Sequence, residues 1–361
     1  MKKQRLVIKI GSSSLTKEDG SLSFEKLIDH VQAISELVHQ GHEVIFISSG
    51  AVAAGFKEMG YPVRPNTLEG RQASAAVGQG MLMQAYAEAF RFHSIKTGQM
   101  LLTRQNFSAH EDYKNVHAVL EELLKRQVLP IINENDSVSV KGLTFGDNDM
   151  LSALVSGMVH ADLLIMLTDI NGLYATNPVL DPLAKKYDLL SDIDDELLST
   201  VPASTSKFGT GGMHSKLQAA KTALSLGVRV FVGNGSGRDK LIKIIDGYGD
   251  GTYIGTDKPP VMKCKKQWIN LHSSCAGVIT IDEGAKEALL DKGRSLLAAG
   301  ITKIEGTFSA KEVVEVHDLS GEHLGKGQVN YSHSELTSLS VSPQHSLTVI
   351  HRDNWVALAK K

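Results

Sequence analysis

Cysteine is almost missing from this sequence. Among 361 residues only Cys264 and Cys275 occur, and they form no C-x-x-C pair. That excludes a disulfide framework and gives no sign of a cysteine-based zinc module. The fourteen histidines never make H-E-x-x-H, since His110-Glu111 lacks the second histidine. Neither sign of charge is in excess: 38 Lys and Arg stand against 40 Asp and Glu, a net −2. This balance argues against a chain built mainly to coat nucleic acid, although a local basic patch is compatible with it. No apolar run is long enough for a membrane span, and Met1–Arg5 lead straight into a strand instead of a signal peptide, so a soluble, cytoplasmic protein is expected. Internal repeats and low-complexity tracts are also lacking. So are both familiar nucleotide motifs, G-x-x-x-x-G-K-[ST] and G-x-G-x-x-G.

What is present reads as an ordinary globular chain, 42% apolar and 22% charged, long enough for two domains. Leu6–Ile10 is a short apolar strand ending in Gly11-Ser12-Ser13-Ser14. Phe24, Leu27, Ile28, Val31, Ile34 and Val38 mark one face of a helix that stops at Gly41, and Glu43–Ser48 is the next strand. This is a βαβ unit. The alternation continues through helix Ala73–Phe90, strand Met100–Thr103, helix Val116–Arg126 and strand Val128–Ile132. A hairpin over Ser137–Phe145 leads to a helix marked by Leu151, Leu154, Val155 and Met158, and then to strands Leu163–Leu167 and Val228–Val232. Residues 1–257 are therefore expected to form an α/β domain, an open and mainly parallel sheet sandwiched by helices. Pro259-Pro260 and lysines 258, 263, 265 and 266 suggest a linker over 258–273. Beyond it, short strands at Gly277–Ile281, Val313–His317 and Ser346–His351 with one helix, Glu283–Lys292, predict a small, mostly β domain over 274–361.

The stretch Gly209-Thr210-Gly211-Gly212 feeds a helix with apolar positions Met213, Leu217, Ala220 and Leu224 and a stop at Gly227. A glycine loop entering a helix N-terminus suits an anion, because unpaired N–H groups and the helix dipole both favour negative charge. Many such loops bind nothing. Lys216, however, sits in the first turn, where a cation opposes the dipole unless it faces a phosphate. Open parallel sheets bind ligands beyond the carboxyl ends of their strands, and Lys9, Ser49, Asn133–Asp136, Thr168 and Asp169 all stand there. Each also has a structural reading. Lys9 can snorkel, Asp147 can cap its helix, Asp169 can make an Asx turn, and Asp136 can be a solvated loop residue. The small residues of Ser49–Gly55 admit either a ligand or a second backbone.

Taken together, Val7–Ser12, Ser48–Gly55, Gln99–Thr103, Pro130–Asp136, Gly146–Asp149, Leu167–Tyr174 and Gly209–Lys216, in this order, resemble the amino acid kinase family, in its glutamate-phosphorylating branch with a C-terminal PUA-type domain. The resemblance covers essentially the whole chain, and Asn133-Glu134-Asn135-Asp136 with Gly146-Asp147-Asn148-Asp149 is its most specific part. It departs between Leu336 and Val349, which is short and Ser-rich for a PUA-type domain. The resemblance implies ATP-dependent phosphorylation of the side-chain carboxylate of L-glutamate, the first step of proline biosynthesis, with Mg²⁺ on the nucleotide. By motif match, Lys9, Lys216 and Asp169 would be catalytic, with Asp169 orienting the lysines. Ser49, Asp136 and Asn148 would hold the amino acid. Lys9, Thr168, Asp169, Thr210, Gly211, Gly212, Met213, His214, Ser215 and Lys216 would hold ATP. Asp147 and Asp149 carry less weight, being equally readable as caps. No metal ligand in the protein is expected. A homo-oligomer is expected, without membrane association, and the PUA-type domain admits RNA as a partner. Rival readings are a kinase of the same family acting on aspartate, N-acetylglutamate, carbamate or a nucleoside monophosphate, or an RNA-binding protein.

Overall fold

The computed structural model describes residues 2–138, 148–176, 181, 183–200, 212–256, 268–269, 275–339 and 347–358. Most of the predicted hairpin, the loop residues Gly209, Thr210 and Gly211, Asp147 and most of the predicted linker lie outside them. Two compact units emerge, residues 1–106 with 114–261, and residues 107–113 with 262–361.

The first unit is an eight-stranded sheet. In chain order its strands are β1 (Arg5–Ile10), β2 (Glu43–Ile47), β3 (Lys96–Leu102), β4 (Val128–Glu134) and β5 (Leu163–Leu167), followed by β8 (Leu189–Leu190), β9 (Arg229–Gly233) and β10 (Gly251–Ile254). A separate two-stranded ribbon pairs β6 (Leu173–Tyr174) with β7 (Lys186–Tyr187). The spatial order is β3-β4-β2-β1-β5-β9-β10-β8, parallel throughout except where β10 runs against β9. The expected α/β sandwich is what forms. Helices α1 (Phe24–His39), α2 (Ala51–Gly55), α3 (Leu68–Phe92), α4 (Gln105–Ser108), α5 (His110–Lys125), α6 (Asn148–Met158), α7 (Asp195–Thr200), α8 (Met213–Ser225) and α9 (Lys240–Ile245) complete this stretch of chain.

Strand alternation divides the core. Leu6, Ile8, Ile10, Val44 and Phe46 pack with Leu27, Val31 and Ile34 of α1 and Leu82, Tyr86 and Phe90 of α3. The alternate positions of β1, Val7 and Lys9, face the other way, where α6 packs on β1 and on α8. Gly41 and Gly227, just past α1 and α8, adopt positive φ as helix stops do. The open choice at Ser49–Gly55 resolves toward backbone: a Cβ on Gly55 would meet Ser74 O at 2.1 Å, and one on Gly78 would meet Ala51 O at 1.9 Å. Helices α2 and α3 therefore cross in direct main-chain contact.

The second unit is a six-stranded sheet in the order β12-β16-β15-β14-β11-β13. Its strands are β11 (Cys275–Ile281), β12 (Leu296–Leu297), β13 (Ile301–Gly306), β14 (Val313–His317), β15 (His323–Val329) and β16 (Thr348–Ala357), joined by helices α10 (Glu283–Leu290) and α11 (His333–Leu339). Three strands and one helix were expected here, so β12, β13, β15 and α11 are additions. Glycines and polar residues interrupt the apolar period of β13 and β15, which hides them from pattern reading. Trp268 and Ile269, within the segment expected to be a linker, are buried. Trp268 Nε1 donates to Ser108 O at 3.1 Å and its ring lies against His110.

Candidate active site

Three charged side chains from three elements converge on the α6/α8 side of the sheet. Lys9 comes from β1, Asp149 from the first turn of α6, and Lys216 from the first turn of α8. Asp149 forms ion pairs with both lysines, reaching Lys216 Nζ at 3.1 Å, and the Lys9, Lys216 and Asp149 side chains are only 5%, 11% and 0% exposed. Lys9 is therefore not snorkelling. Ser215 Oγ lies 3.4 Å from the same carboxylate and donates to Gly212 O at 2.9 Å. Burial is the largest influence on Asp149 and pushes its pKa up, but the two ammonium groups outweigh it and hold the carboxyl below its ordinary range. Two buried ammonium groups sharing one carboxylate leave an excess positive charge. A buried charge without full compensation is costly, so the site is poised to take an anion. The N-terminus of α8, capped by Gly212 without a side-chain hydrogen bond, adds its dipole to the same demand.

Asp169, expected to orient the lysines, is exposed, and one of its oxygens accepts from Thr168 Oγ1 at 3.0 Å. The carboxylate that holds both lysines is Asp149, which motif reading had ranked lower. Its signal was present in Gly146-Asp147-Asn148-Asp149, but a helix cap explained it equally well, and only the approach of α6 to β1 separates the two readings. Thr168 is buried at the end of β5, with its N–H bonded to Gly233 O at 2.9 Å. Met213 and His214 lie in the first turn of α8 beside Ser215. His214 has one ring nitrogen 3.0 Å from Gln218 Nε2, and Nδ1 is buried without a partner.

A second group gathers at the ends of β2 and β4. Asn148 Nδ2 lies 2.8 Å from Ser48 O, 2.9 Å from Ser49 Oγ and 2.8 Å from Asn133 Oδ1. Asn133 in turn donates to Gln79 Oε1 at 2.9 Å. Ser49 and Asn148 are thus in direct contact. Asp136 is half-buried in the turn after β4, its N–H bonded to Glu134 O. Burial pushes its pKa up to about 6, against the opposing pull of Arg64 and Arg71. Those two arginines were missed by sequence reading. They come from the α2–α3 connection and the first turn of α3, segments with no motif to mark them. Burial, followed by repulsion from Arg71, lowers the pKa of Arg64, and Arg71 Nε is a buried donor without a partner.

The family profile for the amino acid kinase family matches residues 4–234, and that for the PUA domain matches residues 277–350. The chain belongs to the amino acid kinase family. It is similar over its length to glutamate 5-kinase 1 of Bacillus licheniformis, at 57% identity covering 99% of this chain and 100% of the relative. It is also similar to glutamate 5-kinase of Bacillus cereus, at 54% identity covering 99% and 100%. Among solved structures, a carbamate kinase from Giardia lamblia bound to AMP-PNP shares the fold at 16% identity and a TM-score of 0.50, covering 70% of this chain and 98% of that one. No helix of the described residues is long and apolar enough to cross a membrane.

Proposed function

We propose that this chain is a glutamate 5-kinase, transferring the γ-phosphoryl group of ATP to the side-chain carboxylate of L-glutamate in the cytoplasm, as the first step of proline biosynthesis. Full-length similarity to glutamate 5-kinases supports the reaction. The observation that carries the chemistry is the Lys9–Asp149–Lys216 cluster, a buried site with more positive than negative charge.

A glutamate side chain, with a pKa of about 4.3, is already an anion at neutral pH. The nucleophile needs no general base, and catalysis rests on alignment and on stabilising charge at the moving phosphoryl group. Lys9 and Lys216 do the second, worth roughly 10²–10³ in rate for one preorganised donor. Asp149 holds both ammonium groups on the same side, so that little reorganisation is needed when the phosphoryl group moves. Thr168, Gly212, Met213, His214 and Ser215 are the described residues assigned to the nucleotide phosphates; Thr210 and Gly211, expected to join them, lie outside the described residues. Asp169, an exposed carboxylate at the end of β5, is a hard oxygen donor of the kind that accompanies nucleotide phosphates on Mg²⁺. The bound ion would supply neutralisation of phosphate charge.

The amino acid lies at the second group. Ser49 and Asn148 hydrogen-bond its carboxylates, Asp136 pairs with its α-ammonium, and Arg64 and Arg71 favour its α-carboxylate. A site carrying both charge signs recognises a free amino acid and penalises an N-acylated one. The test is turnover of a carboxylate panel with ATP and Mg²⁺, trapping acyl phosphate as the hydroxamate. Glutamate is expected to react and N-acetylglutamate to react very poorly. Comparable rates for the two would remove the role given to Asp136, and turnover of aspartate or carbamate in preference to glutamate would remove the proposed substrate.

A further inference from the structure

The second unit carries a cluster unrelated to the kinase chemistry. Along β14, Val314 and Val316 enter the core, so the alternate residues Glu315 and His317 face outward. Opposite them on β15 stand Lys326, paired with Glu315, and His323, paired with His317. The last pairing depends on an irregularity. Val316 opposes Gly325 while the next residue, His317, opposes His323, so that one residue of β15 is skipped and the two imidazoles come face to face. Their ring centroids are 5.1 Å apart and the planes only 28° from parallel.

We propose that Glu315, His317 and His323 form a binding site for a divalent first-row ion of zinc type, held by two imidazoles and one carboxylate with a remaining position open to water. One ligand atom from each residue lies within 4.8 Å of the other two. His317 Nε2 and Glu315 Oε2 are already 3.0 Å apart. Two donors bound tetrahedrally at about 2.0–2.1 Å would stand roughly 3.3 Å apart, so small side-chain rotations suffice. Two imidazole nitrogens and a carboxylate oxygen suit Zn²⁺ and Co²⁺ better than the hard ions Mg²⁺ and Ca²⁺.

A bare Glu–His ion pair on an outward sheet face would account for Glu315 and His317 alone. It does not account for how His323 is set. Its Nε2 lies 3.0 Å from Gly325 O, and a carbonyl only accepts, so Nε2 carries the proton. In the neutral ring Nδ1 then has the free lone pair. This is the outer-shell pattern of metal-bound imidazoles, with one nitrogen donating to a backbone carbonyl and the other left for the ion. The carbonyl is fixed in turn. Gly325 has a φ of +156°, and a Cβ there would meet Val356 O at 2.2 Å, so this position is confined to glycine. Two other groups face the cluster. Lys326 is half-buried and flexible enough to swing to solvent when an ion replaces it beside Glu315. Cys275, whose thiol is raised by burial, interacts with Glu315 and Lys326 from β11.

The test is Zn²⁺ titration of the full-length protein by calorimetry, with Co²⁺ as a spectroscopic substitute. One equivalent should bind and raise the melting temperature, and Co²⁺ should shift the ring protons of both His317 and His323 in NMR. His317→Gln and His323→Gln should each weaken binding by more than ~100-fold, beyond what loss of an outer-shell partner costs, while leaving the kinase rate unchanged. Neither histidine belongs to the second unit's apolar cluster, and the wild-type Co²⁺ spectrum does not depend on any variant folding. Failure to bind Zn²⁺ below about 100 μM, Co²⁺ shifts confined to other histidines, or equal affinity in a folded His317→Gln/His323→Gln double variant would overturn the proposal.

Discussion

At the residue scale, the two lysines and the aspartate between them have opposite expected responses. Lys216→Ala removes excess positive charge and leaves Lys9 and Asp149 as a matched pair. Stability should therefore stay within about 1 kcal/mol of wild type or rise, while kcat falls by roughly 10²-fold or more. Asp149→Asn strands two buried ammonium groups and should cost about 3–5 kcal/mol, the range for breaking a buried pair. Bound nucleotide should offset part of that loss, because its phosphates supply the missing negative charge. Melting curves with and without ATP beside single-turnover rates check both, and a stable but inactive Asp149→Asn protein would contradict the second expectation. Asp136 adds a pH signature. Its pKa of about 6 in the ligand-free fold means that below this pH it is largely neutral and cannot pair with an ammonium group. The KM for glutamate should rise by about tenfold per unit as pH falls below 6 and be flat above 7. Asp136→Asn should have a high KM without that pH dependence, which initial-rate kinetics across pH 5–8 would reveal.

At the scale of elements, periodicity found β1, β2, β4, β5 and β9 because parallel strands buried on both faces are continuous apolar runs, but it found only the end of the half-exposed β3 and missed β8, β10 and the β6–β7 ribbon. Leu6–Ile10 and Leu163–Leu167 were read within a residue of their observed bounds. Helix α3 was harder. It begins five residues before the expected Ala73, because Thr67 caps it by accepting from Gly70 N at 3.2 Å, and Gly70, Gly78 and Gly80 dilute its apolar face. Those glycines lower intrinsic helix propensity, yet Gly78 is what permits the close crossing with α2. Gly78→Ala should raise helix propensity and nonetheless destabilise the protein by about 1–3 kcal/mol, the usual cost of overpacking. Gly80→Ala meets nothing within 4 Å and should be neutral or stabilising by about 0.5–1 kcal/mol. Urea midpoints of the two variants make the comparison, and equal midpoints would mean that the α2–α3 contact is not tight.

At the scale of the whole molecule, the buried polar groups outside the active site should set its response to acid. His30 of α1 is buried, its Nε2 donates to Ser14 O at 3.2 Å, and Nδ1 has no partner. Burial, reinforced by Lys240, pushes its pKa down to about 4. The unfolded chain therefore binds this proton between pH 6.5 and 4 while the folded chain does not, so stability falls as pH drops through that window. The loss should approach about 3 kcal/mol from this group alone. His30→Gln, compared with wild type in urea titrations at pH 7 and 4.5, should have a shallower slope of stability against pH. An unchanged slope would place the acid sensitivity elsewhere.

The sequence by itself determined the α/β class, the change to a mostly β second unit, and the family, because each rests on local information: apolar period, glycine stops and short motifs in order. It also placed Lys9, Ser49, Asn148, Thr168 and Lys216 correctly at strand ends and helix starts, since those positions follow from the elements themselves. Tertiary structure alone decided that Asp149 and not Asp169 holds the lysines. It likewise brought Arg64 and Arg71 to Asp136, and set His323 opposite His317 across a skipped residue. For Asp149 and Asp136 the partners are distant in sequence, each has an adequate local explanation as a cap, a surface charge or a loop residue, and the favourable interaction exists only once packed elements bring the charges together. His317 and His323 are near in sequence, but which residues oppose each other across β14 and β15 is fixed by the register irregularity, which no local pattern marks.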